Sequence, residues 1–179
     1  MNRFLKIIGY GLFLAQYVIW LLVFLLLIGV VGIFFGGQTS HGSFIFDYGN
    51  FIINIPIIFP LLVLFMTIAI CFIVIKLLKI WSILMIDFSD GKYFNFKNLK
   101  YLKKSFLFLL GLTIFQLSIN QIFNYLNIDN VSGLIDLSIK NYFVNISFLI
   151  LNYLLIIIFK KGEHIQKENE EIIWWYGRN

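Results

Sequence analysis

The chain has 179 residues, enough for one domain, and with 60% hydrophobic and only 13% charged residues it has too little polar surface to cover a water-soluble globule. Its formal charge of +5 would point to nucleic acid in a soluble protein, but here no direct nucleic-acid partner is expected. The sign follows from the collection of basic residues on the cytoplasmic side of membrane proteins. A single cysteine, Cys71, set in an apolar run, excludes an intrachain disulfide and supplies no metal-site spacing.

Arg3 and Lys6 precede Ile7 to Phe35, 29 positions without a charged residue. About 20 suffice to cross the hydrocarbon core. The run is too long for the apolar part of a secretory signal, and no small-residue cleavage site follows it. It predicts a retained first span over 7–35, with Gly29 and Gly32 as candidates for close helix approach. Residues 36–50, GGQTSHGSFIFDYGN, have turn chemistry without Lys or Arg and read as a short external loop. The second span is predicted over 51–80, with an irregular start at Pro56 and Pro60. Lys76 and Lys79 mark its exit, their stems long enough to snorkel to the headgroups, and Trp81 stands where an interfacial aromatic would.

Residues 87–105, DFSDGKYFNFKNLKYLKKS, form a long polar stretch between two apolar halves. Gly91 ends the second helix, and Asn95 is the N-cap of a short amphipathic cytoplasmic helix from Phe96. On that helix Lys97, Lys100, Lys103 and Lys104 alternate with Phe96, Leu99, Tyr101 and Leu102, a pattern that suits both an anionic leaflet and a protein partner. The third span, 106–126, is the most polar. Thr113, Gln116, Asn120 and Asn124 recur at helical spacing on one face. A second external loop, 127–141, includes a stretch (134–139) able to rest on the membrane, and the fourth span follows over 142–159. In it Asn145 and Asn152 are seven residues apart. These amides have two uses: interhelical hydrogen bonds, worth ~0.6 kcal/mol each, or the lining of a polar path in a small permease or channel-like component. The tail, 160–179, extends the fourth span as a solvated helix with Glu163–Lys167 and Lys167–Glu171 at i and i+4. Its Trp174, Trp175 and Tyr176 suit either the headgroup region or a partner's groove.

Placing both termini and 87–105 inside puts thirteen of the fourteen cations on the cytoplasmic side and leaves Lys140 alone outside. The expected fold class is therefore all-α, a polytopic membrane protein of four transmembrane helices, N-in and C-in, forming a single membrane domain. No catalytic constellation accompanies it. His41 and His164 fall on opposite sides of the bilayer, and no HExxH, GxSxG or Walker pattern is present. Apart from Lys76 and Lys79 at the exit of the second span, the membrane-embedded positions contain no Asp, Glu, Lys, Arg or His of the kind that ion-coupled transporters and pumps usually need. The expectation is no enzyme, no cofactor and no metal.

The segment Gly91-Lys92-Tyr93-Phe94-Asn95, followed by Asn98, Leu99 and Leu102, resembles the G-x-P-F-T-x-E-N-v-x-x-L segment of a bacterial four-helix membrane family catalogued as domain of unknown function 2975. Phe159-Lys160-Lys161-Gly162 with Gln166-Lys167-Glu168-Asn169-Glu170 is similar to that family's phrase after the last span. Tyr93, Lys97 and Ile172 depart from its Pro, Glu and Thr. The resemblance implies a bacterial plasma-membrane protein without established activity. It also implies a partner, since genes of the family often lie beside one for a small helix-turn-helix transcription regulator. The partner-binding face would comprise Gly91, Phe94, Asn98 and Leu102 with Gly162, Gln166, Glu168 and Asn169. A role in envelope stress or immunity would suit any small bundle and stays open beside it.

Overall fold

A computed structural model describes the backbone of residues 3–36, 39–40, 43–48, 51–125 and 139–176, and side-chain surroundings for 3–33, 56–122, 125, 143–169 and 171–172. Four long helices dominate: α1 (Arg3–Gly36), α2 (Ile58–Ser89), α3 (Phe96–Tyr125) and α4 (Ile139–Tyr176). All four are long and apolar enough to cross a membrane. The outward surface is as informative as the length. Leu14, Val18, Leu21, Phe24 and Leu25 of α1 are each more than half exposed, an arrangement that water would oppose and lipid tails accept. The chain is a multi-pass membrane protein.

Two boundaries differ from the sequence reading. The second helix was expected from Phe51 but starts at Ile58. The residues before it form a three-stranded antiparallel sheet of β1 (Thr39–Ser40), β2 (Ser43–Tyr48) and β3 (Phe51–Pro56), in which Tyr48 pairs with Phe51 and Ser43 with Pro56. The alternating, β-branched and aromatic character of SFIFDY and FIINIP favours strand over loop or helix. Pro56 ends the last strand, and Pro60 falls in the first turn of α2, where a missing N–H costs nothing. In addition, the basic helix expected as a separate element is the first turns of α3, which continues unbroken from Phe96 to Tyr125. Residues 134–138 of the second external loop lie outside the described residues.

Among the described residues the helices pair in chain order: α1 with α2, α2 with α3, and α3 with α4. The α1–α2 seam repeats every seven residues. Gly9, Gln16 and Val23 are buried on α1, facing Ile68, Cys71, Ile75 and Ser82 of α2, the spacing of a left-handed helix pair. At its basic end Ser82 Oγ donates to the Gly9 carbonyl at 2.8 Å. A Cβ on Gly9 would lie 2.9 Å from Ile86 Cγ1 and 3.2 Å from the Ser82 carbonyl oxygen. Gly29 and Gly32, the glycines the sequence offered for close approach, have nothing within 4 Å of such a Cβ; the close contact belongs to Gly9. Because α1 and α4 do not pair, an apolar cleft of about 610 Å³ lies among Leu12, Val74, Trp81, Leu109, Phe148 and Leu151.

The seam makes a sharp contrast testable. Gly9→Leu should lower resistance to unfolding in detergent by about 1–3 kcal/mol, the usual range for overpacking, while Gly32→Leu should leave it unchanged. Equal effects at the two positions would remove Gly9 from the interface.

Candidate functional site

The recognisable residues of the sequence converge at the end of the helices that carries the lysines. The turn from α2 to α3 is built first. α2 stops at Ser89; the Asp90 N–H donates to the Ile86 carbonyl and the Gly91 N–H to the Phe88 carbonyl, with Gly91 at φ +78°. That left-handed conformation favours glycine. Asn95 Oδ1 then accepts the backbone N–H of Asn98 at 2.7 Å and caps α3 as its position predicts. Asn98 is fully buried. Its Nδ2 donates to the carbonyl oxygens of Lys92 at 2.6 Å and Tyr93 at 3.3 Å, locking the turn from inside.

Below the turn Ile80, Leu84, Leu99, Leu102 and Phe159 form a core joining α2, α3 and α4, bordered by Trp81, Phe88 and Phe108. Aromatic rings close its outer edge: Phe159 lies 5.4 Å from Phe88 and 5.3 Å from Phe94, and Phe88 stacks on Tyr93 at 5.9 Å. Phe94 lies over Gly162, where any Cβ would occupy the space of its ring. Gly162 therefore serves as a seat for Phe94, although it stands within a continuous helix where glycine costs ~1 kcal/mol relative to alanine.

Polar links tie the helices further in. Trp81 Nε1 donates to Ser105 Oγ at 3.1 Å and Asn152 Nδ2 donates to the same oxygen at 2.8 Å, so that one hydroxyl joins α2, α3 and α4. Asn145 Nδ2 donates to Gln116 Oε1. Thr113 returns its hydroxyl to the Leu109 carbonyl at 2.9 Å. Asn120 is half-buried, and the side chain of Asn124 lies outside the described residues. Among the five stripe amides, then, Gln116, Asn145 and Asn152 act as helix-to-helix links. Trp81, expected at the membrane interface, is half-buried and engaged between helices.

The eight expected partner-facing residues divide accordingly. Asn98 and Leu102 are buried and hold the turn and the core, so they present nothing to a partner, and Gly91 shapes the turn. Phe94, Gly162, Gln166 and Asn169 line one pocket of about 570 Å³ together with Ile158, Lys161 and Ile165. Glu168 is exposed beside it and accepts an ion pair from His164 at 3.2 Å when that ring is protonated. Lys167 pairs with Glu163 at 2.9 Å, and Lys97 with Asp87 at 3.3 Å while lying 5.8 Å from the Tyr101 ring centroid. No group of three His, Cys, Asp or Glu side chains converges among the described residues.

Sequence reasoning missed Gly9, Gln16, Ser82 and Ser105. The first two were marked by the seven-residue repeat Gly9–Gln16–Val23–Val30, and the two serines carry no such signal. Compared with known protein families, characterised proteins and solved structures, the chain matches none.

Asn98→Ala should destabilise the protein by about 1–3 kcal/mol, the net worth of two bonds and a cap-linked turn, and should raise hydrogen exchange at residues 91–98. Asn152→Leu should cost about 1 kcal/mol and change Trp81 fluorescence, because the Ser105 hydroxyl that accepts from the ring loses its other donor. A Trp81 spectrum unchanged by Asn152→Leu would mean that Ser105 does not couple them.

Proposed function

We propose that this chain is a non-enzymatic protein of the bacterial plasma membrane whose lysine-rich end faces the cytoplasm and holds a cytoplasmic protein there. The observation that carries this reading is the pocket between the α2–α3 turn and α4. Its apolar floor, Phe94, Ile158 and Ile165, sits beside Lys161, Gln166 and Asn169 just past the uncharged apolar run 142–159 of α4. An apolar helix face with an acidic residue at its edge has the chemistry to fill it. Gln116 and Asn145 are engaged with each other, which favours this reading over a polar permeation path.

Orientation supports the same conclusion. The antiparallel contacts Gly9–Ser82, Trp81–Ser105 and Phe94–Gly162 gather Arg3, Lys6, the lysines from 76 to 104 and Lys160, Lys161 and Lys167 toward one end, and basic residues favour the cytoplasmic side. The resemblance to the domain of unknown function 2975 family adds a partner class, a small helix-turn-helix regulator encoded beside the gene.

In a Cys71→Ala background, a membrane-impermeant thiol reagent added outside intact cells should label Thr39→Cys and spare Lys100→Cys. The opposite pattern would invert the protein and remove the cytoplasmic pocket. A purified regulator of the stated class should then co-purify with the full chain, and Ile165→Asp should reduce recovery about tenfold, the effect of 1.4 kcal/mol. Equal recovery with the wild type would end the docking claim at this pocket.

A further inference from the structure

A second groove, on the α2–α3 face, is lined by Lys76, Lys79, Ile80, Ile83, Tyr101, Lys104, Leu107 and Phe108 and encloses about 380 Å³. Its floor is apolar and aromatic, its polar heads are three lysines, and it contains no acidic residue. None of the three lysines forms an ion pair among the described residues, whereas Lys97 and Lys167 do. Their depth is informative. Lys76 lies 18 residues beyond Ile58 on α2, ~27 Å at 1.5 Å per residue, and Lys104 lies 21 residues before Tyr125 on α3, ~31 Å. Both lengths match the ~30 Å hydrocarbon core, so the three ammonium groups stand at the level of lipid phosphates while Leu107 and Phe108 continue into the acyl region.

We infer that this groove is a specific site for one anionic phospholipid, its phosphate held by Lys76, Lys79 and Lys104 and an acyl chain laid over Leu107 and Phe108, while Ile83 and Tyr101 border the headgroup side. The combination of basic heads and apolar floor selects a lipid over a free phosphate, which would have no use for the floor. Basic pockets between membrane helices are a recurrent means of holding anionic headgroups. Bound there, the lipid bridges α2 and α3 just inside the turn that positions Phe94. The inference rests on reading the lysine-rich end as the headgroup end of four spanning helices, and it needs no protein partner.

Native mass spectrometry of the full-length protein, purified in mild detergent and supplied with phosphatidylglycerol or phosphatidylcholine, tests it. One phosphatidylglycerol should be retained preferentially, and inorganic phosphate in large excess should not displace it. The triple variant Lys76→Gln/Lys79→Gln/Lys104→Gln should bind about 100-fold more weakly, given three near-surface lysines. The control Lys100→Gln/Lys103→Gln/Lys160→Gln removes the same charge from the same end and should bind like the wild type. Leu107→Trp, which keeps every charge and fills the acyl end of the groove, should also lose the lipid. Equal weakening by both triple variants would reduce the effect to general attraction by a basic surface and overturn the site. Displacement by inorganic phosphate, or full retention by Leu107→Trp, would overturn the lipid assignment. Thiol labelling and regulator recovery are read separately, so failure of lipid retention and failure of the docking claim remain distinguishable.

Discussion

The turn between α2 and α3 depends on one carboxamide. Asn98 is fully buried, and its Nδ2 spans the carbonyls of Lys92 and Tyr93. Because Asn98 is fully buried, the turn's carbonyls rely on this internal donor, and the donor relies on them. Fixing 92–93 fixes Phe94, and Phe94 in turn sets how closely α4 can approach at Gly162. The pocket wall, the aromatic edge and the docking of α4 thus follow from a local hydrogen-bond arrangement. Gly91 contributes the single left-handed residue that lets the chain reverse there.

Further in, the helices are joined by a few polar contacts instead of the hydrophobic effect, which does not draw apolar helices together when the surroundings are themselves apolar. Ser105 receives both Trp81 and Asn152, and Ser82 reaches the Gly9 carbonyl. Such contacts specify register more than they add stability. The buried Nε2 of Gln16 and the Oδ1 atoms of Asn98 and Asn152 have no hydrogen-bond partner among the described residues. Each is a cost of about 1–3 kcal/mol in an ordinary protein interior, and in this chain each belongs to an amide on a helix contact or at the turn.

Much of this was legible in the sequence because its signals were compositional or chemical. Long uncharged runs gave the four helices, Asn95 gave the α3 cap, and Gly91 gave the end of the α2 region. Phe94 and Gly162 were both among the residues assigned to a partner face, but their contact was not foreseen, since a ring seated on a glycine 68 positions away leaves no periodicity to read. Asn98 and Leu102 were assigned to the partner face through the family resemblance; burial under the turn and in the α2–α3–α4 core decides otherwise. The β-strands were hidden for a different reason. FIINIP runs directly into an apolar helix, and a short apolar segment fits strand and helix alike. Only the paired SFIFDY, set among turn residues, could have separated them.

The order of helix pairing has a consequence for dissection of the molecule. Among the described residues α1 packs on one neighbour, α2, and α4 on α3 with the Phe159–Phe88 ring contact in addition. The architecture is thus a ribbon of consecutive hairpins and not a closed ring. Excising the first helix would strip one seam and leave the α2–α3–α4 core, the carboxamide-locked turn and both grooves with all of their lining side chains. Excising the second would sever the ribbon in its middle, because among the described residues the first helix packs only on it.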